Sequence, residues 1–135
     1  MAVSQEEMRR ILTTAKTIAV VGLSNNPDRP SFEIAGYLKA AGYRIIPVNP
    51  TIKEALGEKA YASLRDIRER VDVVQIFRRP EDVPAVVDDA IAIKAKAVWM
   101  QPGAEHEEAA AKARKAGLLA VVGACMMVAH RRFVG

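Results

Sequence analysis

The sequence contains little that would support a metal site or a disulfide framework. Of its 135 residues one is a cysteine, Cys125, and two are histidines, His106 and His130. A single thiol cannot form an internal disulfide, and one cysteine with two separated histidines does not supply the clustered ligands that a structural metal ion needs. We therefore expect neither a disulfide nor a metal ion in this chain.

Long apolar runs and aromatic residues are also scarce. No stretch approaches the roughly 18 apolar residues of a membrane span, and the N-terminal residues lack a signal-peptide pattern, so we expect a cytoplasmic protein with no membrane partner. Aromatic residues make up 5% of the chain, which leaves no stacking platform beside the basic clusters 78–79 and 130–132. We expect no nucleic-acid partner, although the formal charge of +4 is compatible with an acidic small ligand.

Short apolar segments alternate with helical patterns along the chain. Strands are predicted at 18–21, 43–48, 72–77, 97–101 and 118–122, and helices at 4–15, 31–41, 81–93, 105–116 and 125–133. Residues 51–64 mix helical and turn signals and predict short pieces, with another helical turn within 63–71. Pro47 removes a ladder donor, so that end of the second strand should be irregular or lie near an edge. This order predicts one α/β domain over residues 1–135, with a five-stranded, mostly parallel sheet covered by helices on both faces.

The turn after the first strand has features of an anion site. The apolar run ends at Gly22, and a polar loop leads to a helix for which Ser31 is a candidate N-cap. A glycine lets the backbone turn sharply or approach a ligand closely, and the free N–H groups at a helix start attract phosphate. The G-x-G-x-x-G spacing of dinucleotide sites is absent, so the turn alone does not separate a phosphate site from an ordinary loop.

Glycine, proline, amide or arginine follows every predicted strand, in segments 22–25, 48–50, 77–80, 101–103 and 123–125. The carboxyl ends of parallel strands meet at one edge of the sheet, where ligands of such folds bind. The second strand ends at Asn49-Pro50, without the carboxylate that holds the ribose of NAD, and Lys53 follows. These residues suit a ribose that carries a phosphate, as in NADP or coenzyme A.

Five segments of the chain form a distinctive set in this order: 21–31, 47–50, 75–80, 99–103 and 125–127. Together they resemble the small stand-alone CoA-binding proteins, which are similar to the N-terminal domain of the succinyl-CoA synthetase α subunit. The resemblance covers nearly the whole chain and implies a Rossmann-like domain that binds coenzyme A across the strand ends. The larger synthetases have more glycines in the turn after the first strand. The resemblance therefore says least about which residues contact the pyrophosphate.

The resemblance also implies which residues form the site. Ser24 and Asn25 would line the phosphate turn. Residues 48–50 and Lys53 would contact the nucleotide end of the ligand. Residues 77–80 would form the next wall, and residues 99–101 would close the site. The full candidate set is Gly22, Leu23, Ser24, Asn25, Arg29, Ser31, Val48, Asn49, Pro50, Lys53, Phe77, Arg78, Arg79, Pro80, Trp99, Met100 and Gln101.

No catalytic residue is predicted. The sequence offers no nucleophile with a base and an orienting group, and both histidines are expected at the surface. The synthetases use a phosphorylated histidine in a second domain and a partner subunit, and no counterpart is recognisable here. We therefore expect a non-catalytic carrier, sensor or regulatory module that binds coenzyme A or an acyl-CoA, with an unidentified protein partner. The alternative is an NADP- or acyl-CoA-dependent enzyme component that needs a partner.

Cys125 follows the fifth predicted strand, on the expected binding edge. A single cysteine in such a domain is most often buried and inert. Its place before a predicted helix keeps a redox role open, including a mixed disulfide with coenzyme A.

Overall fold

The computed structural model describes residues 4–135, so residues 1–3 of the predicted domain lie outside the described residues. The helices are α1 (Gln5–Thr14), α2 (Pro30–Ala40), α3 (Val83–Ala92), α4 (Glu107–Lys115) and α5 (Met126–Phe133). The strands are β1 (Thr17–Val21), β2 (Arg44–Val48), β3 (Glu54–Ala55), β4 (Glu58–Lys59), β5 (Val73–Ile76), β6 (Ala97–Met100) and β7 (Leu119–Val122). Short 3₁₀ helices occupy Leu64–Asp66 and Pro80–Asp82.

Five strands form one parallel sheet in the order β2-β1-β5-β6-β7, and β3 pairs with β4 in a separate antiparallel hairpin. The predicted α/β class and Rossmann-like sheet are confirmed. The short pieces expected within 51–64 are the β3–β4 hairpin and the start of the first 3₁₀ helix. No helix within residues 4–135 is long and apolar enough to cross a membrane.

Helices cover both faces of the sheet, which explains why its strands are continuous apolar runs. Alternate strand residues such as Val74 and Val98 pack with α3 and α4 on one face. Their neighbours, including Ile18 and Trp99, pack with α1, α2 and α5 on the other face. The five strand ends therefore open onto one edge between two helical layers.

Both outer strands of the sheet have backbone groups that are occupied by other parts of the chain. Pro47 lies on the edge strand β2, as predicted, and its carbonyl accepts from Tyr61 N at 2.9 Å. The Tyr61 carbonyl in turn accepts from Asn49 N at 2.8 Å. At the opposite flank, Arg114 Nη2 donates to the Ala120 carbonyl of β7 at 3.0 Å.

The start of α2 differs from the prediction. Arg29 is the N-cap residue and Pro30 the first helical residue, so the expectation that Ser31 caps this helix is wrong. Proline favours this first position because its φ is already helical and no N–H is lost there. The Ser31 hydroxyl is instead directed back to the preceding loop, where its oxygen accepts from Ser24 N at 3.0 Å.

Candidate ligand-binding cleft

A cleft of about 660 Å³ lies at the carboxyl edge of the sheet and is called the main cleft. Its walls come from the β1–α2 loop, the start of α2 and the segments that follow β5, β6 and β7. Its volume is within the range of small-molecule sites. The lining residues are Gly22, Ser24, Arg29, Pro30, Ser31, Ile34, Phe77, Arg78, Arg79, Gln101, Pro102, Gly103, Ala104 and Cys125.

Gly22 fixes how two walls of the main cleft meet. Its φ is +89°, and a Cβ at this position would lie 2.1 Å from the Phe77 carbonyl oxygen. No side chain fits this space. The glycine therefore allows the backbone of the β1–α2 loop to lie close to the backbone of the loop after β5. The Gly22 N–H also donates to the Val48 carbonyl at 2.8 Å, which connects this turn to the end of β2.

The loop between β1 and α2 is ordered by its own side chains. The Ser24 hydroxyl oxygen accepts from Asn26 N, and the Asn26 side-chain oxygen accepts from Asp28 N, both at 3.0 Å. Together with the bond from Ser24 N to Ser31, these contacts hold the loop in one conformation. In each serine the oxygen is the acceptor, so both hydroxyl hydrogens can be donated to a bound anion.

The charge of the main cleft is positive. Its charged lining residues are Arg29, Arg78 and Arg79, with no carboxylate among them. The guanidinium of Arg79 contacts the neighbouring acids of its own turn, Asp82 at 3.4 Å and Glu81 at 3.8 Å. Arg78 forms no ion pair with any residue in 4–135 and is exposed. Guanidinium groups beside a helix start form a site for phosphate oxygens.

Two glutamines form a buried network under the main cleft. The Gln101 side-chain oxygen accepts from Met126 N at 2.8 Å and from Gln75 Nε2 at 3.1 Å. The Met126 N–H can only donate, so it fixes which end of the Gln101 amide faces α5. The Gln101 Nε2 group makes no hydrogen bond within the described residues, and Gln101 lines the cleft. The buried Gln75 Oε1 also has no partner there.

A second cleft of about 550 Å³ lies beside the main cleft, on the side of β2. Arg78 and Arg79 line both clefts, and Val48 lines the second one. The second cleft also contains carboxylates, those of Glu81, Asp82 and Asp89. It is therefore mixed in charge, whereas the main cleft is cationic.

The model of the CoA-binding domain family matches residues 16–131. The chain belongs to this family. It is 44% identical over 127 residues to the Bacillus subtilis (strain 168) protein YneT, named as uncharacterized, with 94% of each chain covered. A solved structure of a hypothetical protein from Pyrococcus horikoshii OT3 is 41% identical and has a TM-score of 0.95, with 98% of this chain and 94% of that chain covered. The resemblance to stand-alone CoA-binding proteins is confirmed.

A longer relative aligns with part of this CoA-binding domain. The acetate–CoA ligase [ADP-forming] II of Archaeoglobus fulgidus is 38% identical over 80 residues, which are 58% of this chain and 12% of the ligase. The shared region is thus a small part of that enzyme.

The structure brings together about half of the candidate residues in this CoA-binding domain. Those that line the main cleft are Gly22, Ser24, Arg29, Ser31, Phe77, Arg78, Arg79 and Gln101, and Val48 lines the second cleft. Those that line neither cleft are Leu23, Asn25, Asn49, Pro50, Lys53, Pro80, Trp99 and Met100. All three arginines line a cleft, whereas the eight that line neither are six residues outside the strands and two residues of β6.

Trp99 and Met100 are core residues with 0% exposure, and so is Leu23. The expectation that Trp99 and Met100 close the site by direct contact is wrong in this structure, because helices cover both faces of β6. Trp99 Nε1 donates to the Ala124 carbonyl at 2.7 Å. Trp99 thereby positions the segment before Cys125 from below.

Asn49 fastens two strand ends to each other. Its Nδ2 donates to the Leu23 carbonyl at 3.1 Å, and its Oδ1 accepts from Thr51 N at 2.9 Å and Thr51 Oγ1 at 2.7 Å. Most of its hydrogen-bonding capacity is used within the protein. Asn49 therefore supports the cleft from behind, and exposed Lys53 lies outside both clefts.

The two histidines have structural contacts. His106 caps α4, and its Nδ1 accepts from Ala109 N at 3.1 Å. The expectation that His130 is a surface residue is wrong: it is buried between the rings of Tyr37 and Tyr43 because α5 packs on α2, with its Nδ1 2.8 Å from Tyr37 Oη. Burial also raises the pKa of Tyr43. Within residues 4–135, no cluster of histidine, cysteine and carboxylate side chains could hold a metal ion.

The sequence reasoning missed several cleft residues. Ile34 lies within the predicted helix 31–41 and is not among the candidates, yet it lies one turn after Ser31 and reaches the main cleft. Its helical spacing from Ser31 was the available signal. Glu81 and Asp82, which line the second cleft, were assigned to the α3 helix; the 3₁₀ turn that presents them had no separate signal in the sequence.

Proposed function

We propose that this CoA-binding domain binds coenzyme A or an acyl-CoA in the main cleft and acts as a non-catalytic carrier, sensor or regulatory module. The observation that carries this proposal is the set of three arginines, Arg29, Arg78 and Arg79, in a cleft without carboxylates at the start of α2. Coenzyme A presents a pyrophosphate and a 3′-phosphate, and arginine recognises such groups well. Family membership makes coenzyme A the first choice among phosphorylated ligands.

The two clefts, which share Arg78 and Arg79, suit the two ends of this ligand. The main cleft offers Ser24, Ser31 and the arginines to the phosphates, and its apolar residues to the pantetheine arm. The second cleft, which shares Arg78 and Arg79, would take the adenosine end. The ribose would then lie near Val48, and the residues that follow this strand end, Asn49 and Pro50, lack the carboxylate that an NAD site carries there.

The geometry around the main cleft supports a binding role without catalysis. The hydroxyl oxygens of Ser24 and Ser31 are acceptors for backbone N–H groups, and no carboxylate or histidine lines the main cleft to act as their base. General acid–base chemistry needs such a group within hydrogen-bond reach of the reacting atom.

A second candidate function is that of an enzyme component that works with a partner. The partial match to the Archaeoglobus fulgidus acetate–CoA ligase favours it, because the matched region is 12% of that enzyme. The residues missing from the cleft would then come from another chain. In this case the ligand site would be the same, and the partner would supply the catalytic groups.

Calorimetric titration with coenzyme A tests the site directly. Replacing Arg78 by alanine should weaken binding about 10-fold or more, because a hydrogen bond to a charged phosphate contributes about 1.5–3 kcal/mol. The matched control is Arg70→Ala, since Arg70 is also an exposed arginine but lies before β5, at the opposite edge of the sheet. Equal affinity of the two variants would show that the ligand binds elsewhere.

A ligand panel tests the choice of coenzyme A. Thermal shifts should be larger with coenzyme A than with 3′-dephospho-coenzyme A, and small with NAD, because a ligand that binds only the folded state stabilises it according to its affinity. A response to NADP alone would contradict the choice of ligand and favour the enzyme component.

A further inference from the structure

We propose that Cys125 forms a reversible mixed disulfide with coenzyme A, by exchange with coenzyme A disulfide held in the main cleft. This inference rests on the proposed function. Cys125 is the chain's one thiol, is half-buried and lines the main cleft at the start of α5. As the N-cap residue of α5 it makes no side-chain capping bond, so its sulfur is not engaged in holding the helix.

The second observation is the unpartnered amide group of Gln101 in the same cleft. The Gln101 side chain is 2% exposed, its oxygen accepts from Gln75 and Met126, and its Nε2 makes no hydrogen bond within residues 4–135, although Gln101 lines the cleft. A side-chain amide held by its oxygen at the wall of a cleft has its N–H groups available to a ligand carbonyl. The pantetheine arm of coenzyme A carries two amide carbonyls between its phosphates and its sulfur.

The strand order places the arginines, Gln101 and Cys125 along the edge of the sheet. The phosphates, amides and sulfur follow one another in the same order along coenzyme A. The arginines follow β1 and β5, Gln101 follows β6 and Cys125 follows β7, which are consecutive in the sheet. Neighbouring strands are about 4.8 Å apart, so the end of β7, which Cys125 follows, is about 10 Å from the end of β5. A ligand with phosphates at Arg78, amides at Gln101 and sulfur at Cys125 would follow the edge of the sheet outward.

The exchange is balanced without a further reactant. The Cys125 thiol loses its proton to solvent, and the thiolate attacks one sulfur of coenzyme A disulfide. The bond between the two coenzyme A sulfurs breaks as the bond from Cys125 to one of them forms, and the second coenzyme A leaves as a thiolate that takes a proton. Cys125 is oxidised, and one coenzyme A is reduced. Excess coenzyme A thiol reverses the step, so the domain would record the ratio of the two forms.

Intact-protein mass spectrometry tests the inference by the rate at which the adduct appears. The reduced wild-type protein is mixed with coenzyme A disulfide or with bis(2-hydroxyethyl) disulfide, a small neutral disulfide that needs no binding site. We expect the coenzyme A adduct to form at least about 10-fold faster and its rate to saturate with concentration, because binding raises the local concentration of the reactant. Equal rates, or a rate that does not saturate, would overturn the inference.

Arg78→Ala adds a readout that a merely exposed thiol would not give. This variant should slow the reaction with coenzyme A disulfide about 10-fold and leave the reaction with the small disulfide unchanged, whereas Arg70→Ala should affect neither. If Arg78→Ala leaves both rates unchanged, the reaction does not use the cleft and the inference is wrong.

The failure of this inference can be distinguished from failure of the proposed function. Reversible binding of coenzyme A is measured on wild-type protein with a phosphine reductant present, where no disulfide forms. Binding under these conditions without a selective adduct would refute the role of Cys125 and leave the proposed function in place. Absence of both would refute both.

Discussion

Gly22 shows how the absence of a side chain can shape a cleft. Its backbone lies so close to the Phe77 carbonyl that a side chain would overlap with it, and its φ of +89° is one that other residues rarely adopt. The turn after β1 and the loop that carries Arg78 are held together by this approach. The position of that arginine therefore depends on the absence of a side chain on the neighbouring loop.

Gly22→Ala should lower the free energy of unfolding by about 2–4 kcal/mol, through backbone strain and overlap together. Urea denaturation measures the change. Gly117→Ala is the matched control, because Gly117 has a φ of +96° but nothing within 4 Å of the added Cβ. It should lose only about 1 kcal/mol. Equal losses would mean that the loop after β5 moves aside without difficulty.

The sequence predicts the arginines and the glycine of the cleft, but it does not predict the burial of Trp99. Gly22 and Arg78 follow apolar runs and could be assigned to the carboxyl edge from the strand pattern alone. Trp99 lies in such a run, and only the three-dimensional structure shows that α5 covers it. Its burial depends on contacts between distant segments, which local pattern does not contain.

At the scale of secondary-structure elements, Asn49 joins the end of β2 to the loop after β1. Asn49→Asp should lower the free energy of unfolding by about 1–3 kcal/mol, because a carboxylate oxygen would replace the amide donor that faces the Leu23 carbonyl. Asn49→Ala loses this bond and also the two bonds that Asn49 Oδ1 accepts from Thr51, so it should be destabilising as well. Urea denaturation of both variants measures the losses, and an aspartate variant as stable as wild type would contradict the role of the bond to Leu23.

The start of β2 is tied to the segment before β5 by an ion pair. Arg44 donates to Glu69 through Nε at 2.6 Å and Nη2 at 2.7 Å, which holds the pKa of the Glu69 carboxyl below its ordinary value and raises the pKa of Arg44. A carboxyl with a lowered folded-state pKa stabilises the protein above its unfolded-state pKa, and this stabilisation is lost as pH falls through the folded-state value. Both side chains are more than a third exposed, so solvent screening keeps the effect small.

Glu69→Gln should therefore be less stable than wild type by about 0.5 kcal/mol near pH 6, and the difference should shrink as the pH falls through the folded-state pKa of Glu69. Urea denaturation at a series of pH values measures it. Glu54→Gln serves as the control, because Glu54 is exposed and forms no ion pair with the residues of 4–135. A difference that grows as the pH falls would contradict the sign of the argument.

Most elements could be predicted from the sequence, and the exceptions have a common cause. The strands and helices of the main sheet are long enough for their apolar periodicity to be recognised. The β3–β4 hairpin has two residues in each strand, too few for any period, so residues 51–64 gave only mixed signals. At the start of α2, the prediction favoured a serine cap over the preceding proline, and the proline determined the boundary.

At the scale of the whole molecule, the two edges of the sheet differ in what they can bind. A cavity of about 480 Å³ lies at the opposite edge, and its lining includes Thr14 and Ala15, Lys94 to Ala97 and Ala116 to Leu119. Three helices end around it, and helix C-termini carry partial negative charge. The basic residues there are expected to neutralise these ends, whereas the cleft at the carboxyl edge offers helix starts to an anion.

Hydrogen exchange with and without coenzyme A should show this polarity. We expect slower exchange in segments 22–34, 77–82, 101–106 and 123–128, which line or adjoin the two clefts. Segments 94–97 and 116–119 should not change, because a ligand at the carboxyl edge does not reach them. Protection confined to the latter segments would place the ligand at the opposite edge and refute the proposed site.

An edge strand with unpaired backbone N–H and C=O groups can pair with a strand of another chain. In this sheet each of the two edge strands has backbone groups that are already hydrogen-bonded to other parts of the chain. Tyr61 occupies the backbone groups beside Pro47, and the Arg114 guanidinium occupies the Ala120 carbonyl. The molecule should thus resist strand-by-strand polymerisation even when crowded. Loss of the arginine would leave β7 as the flank from which ordered aggregates start to grow.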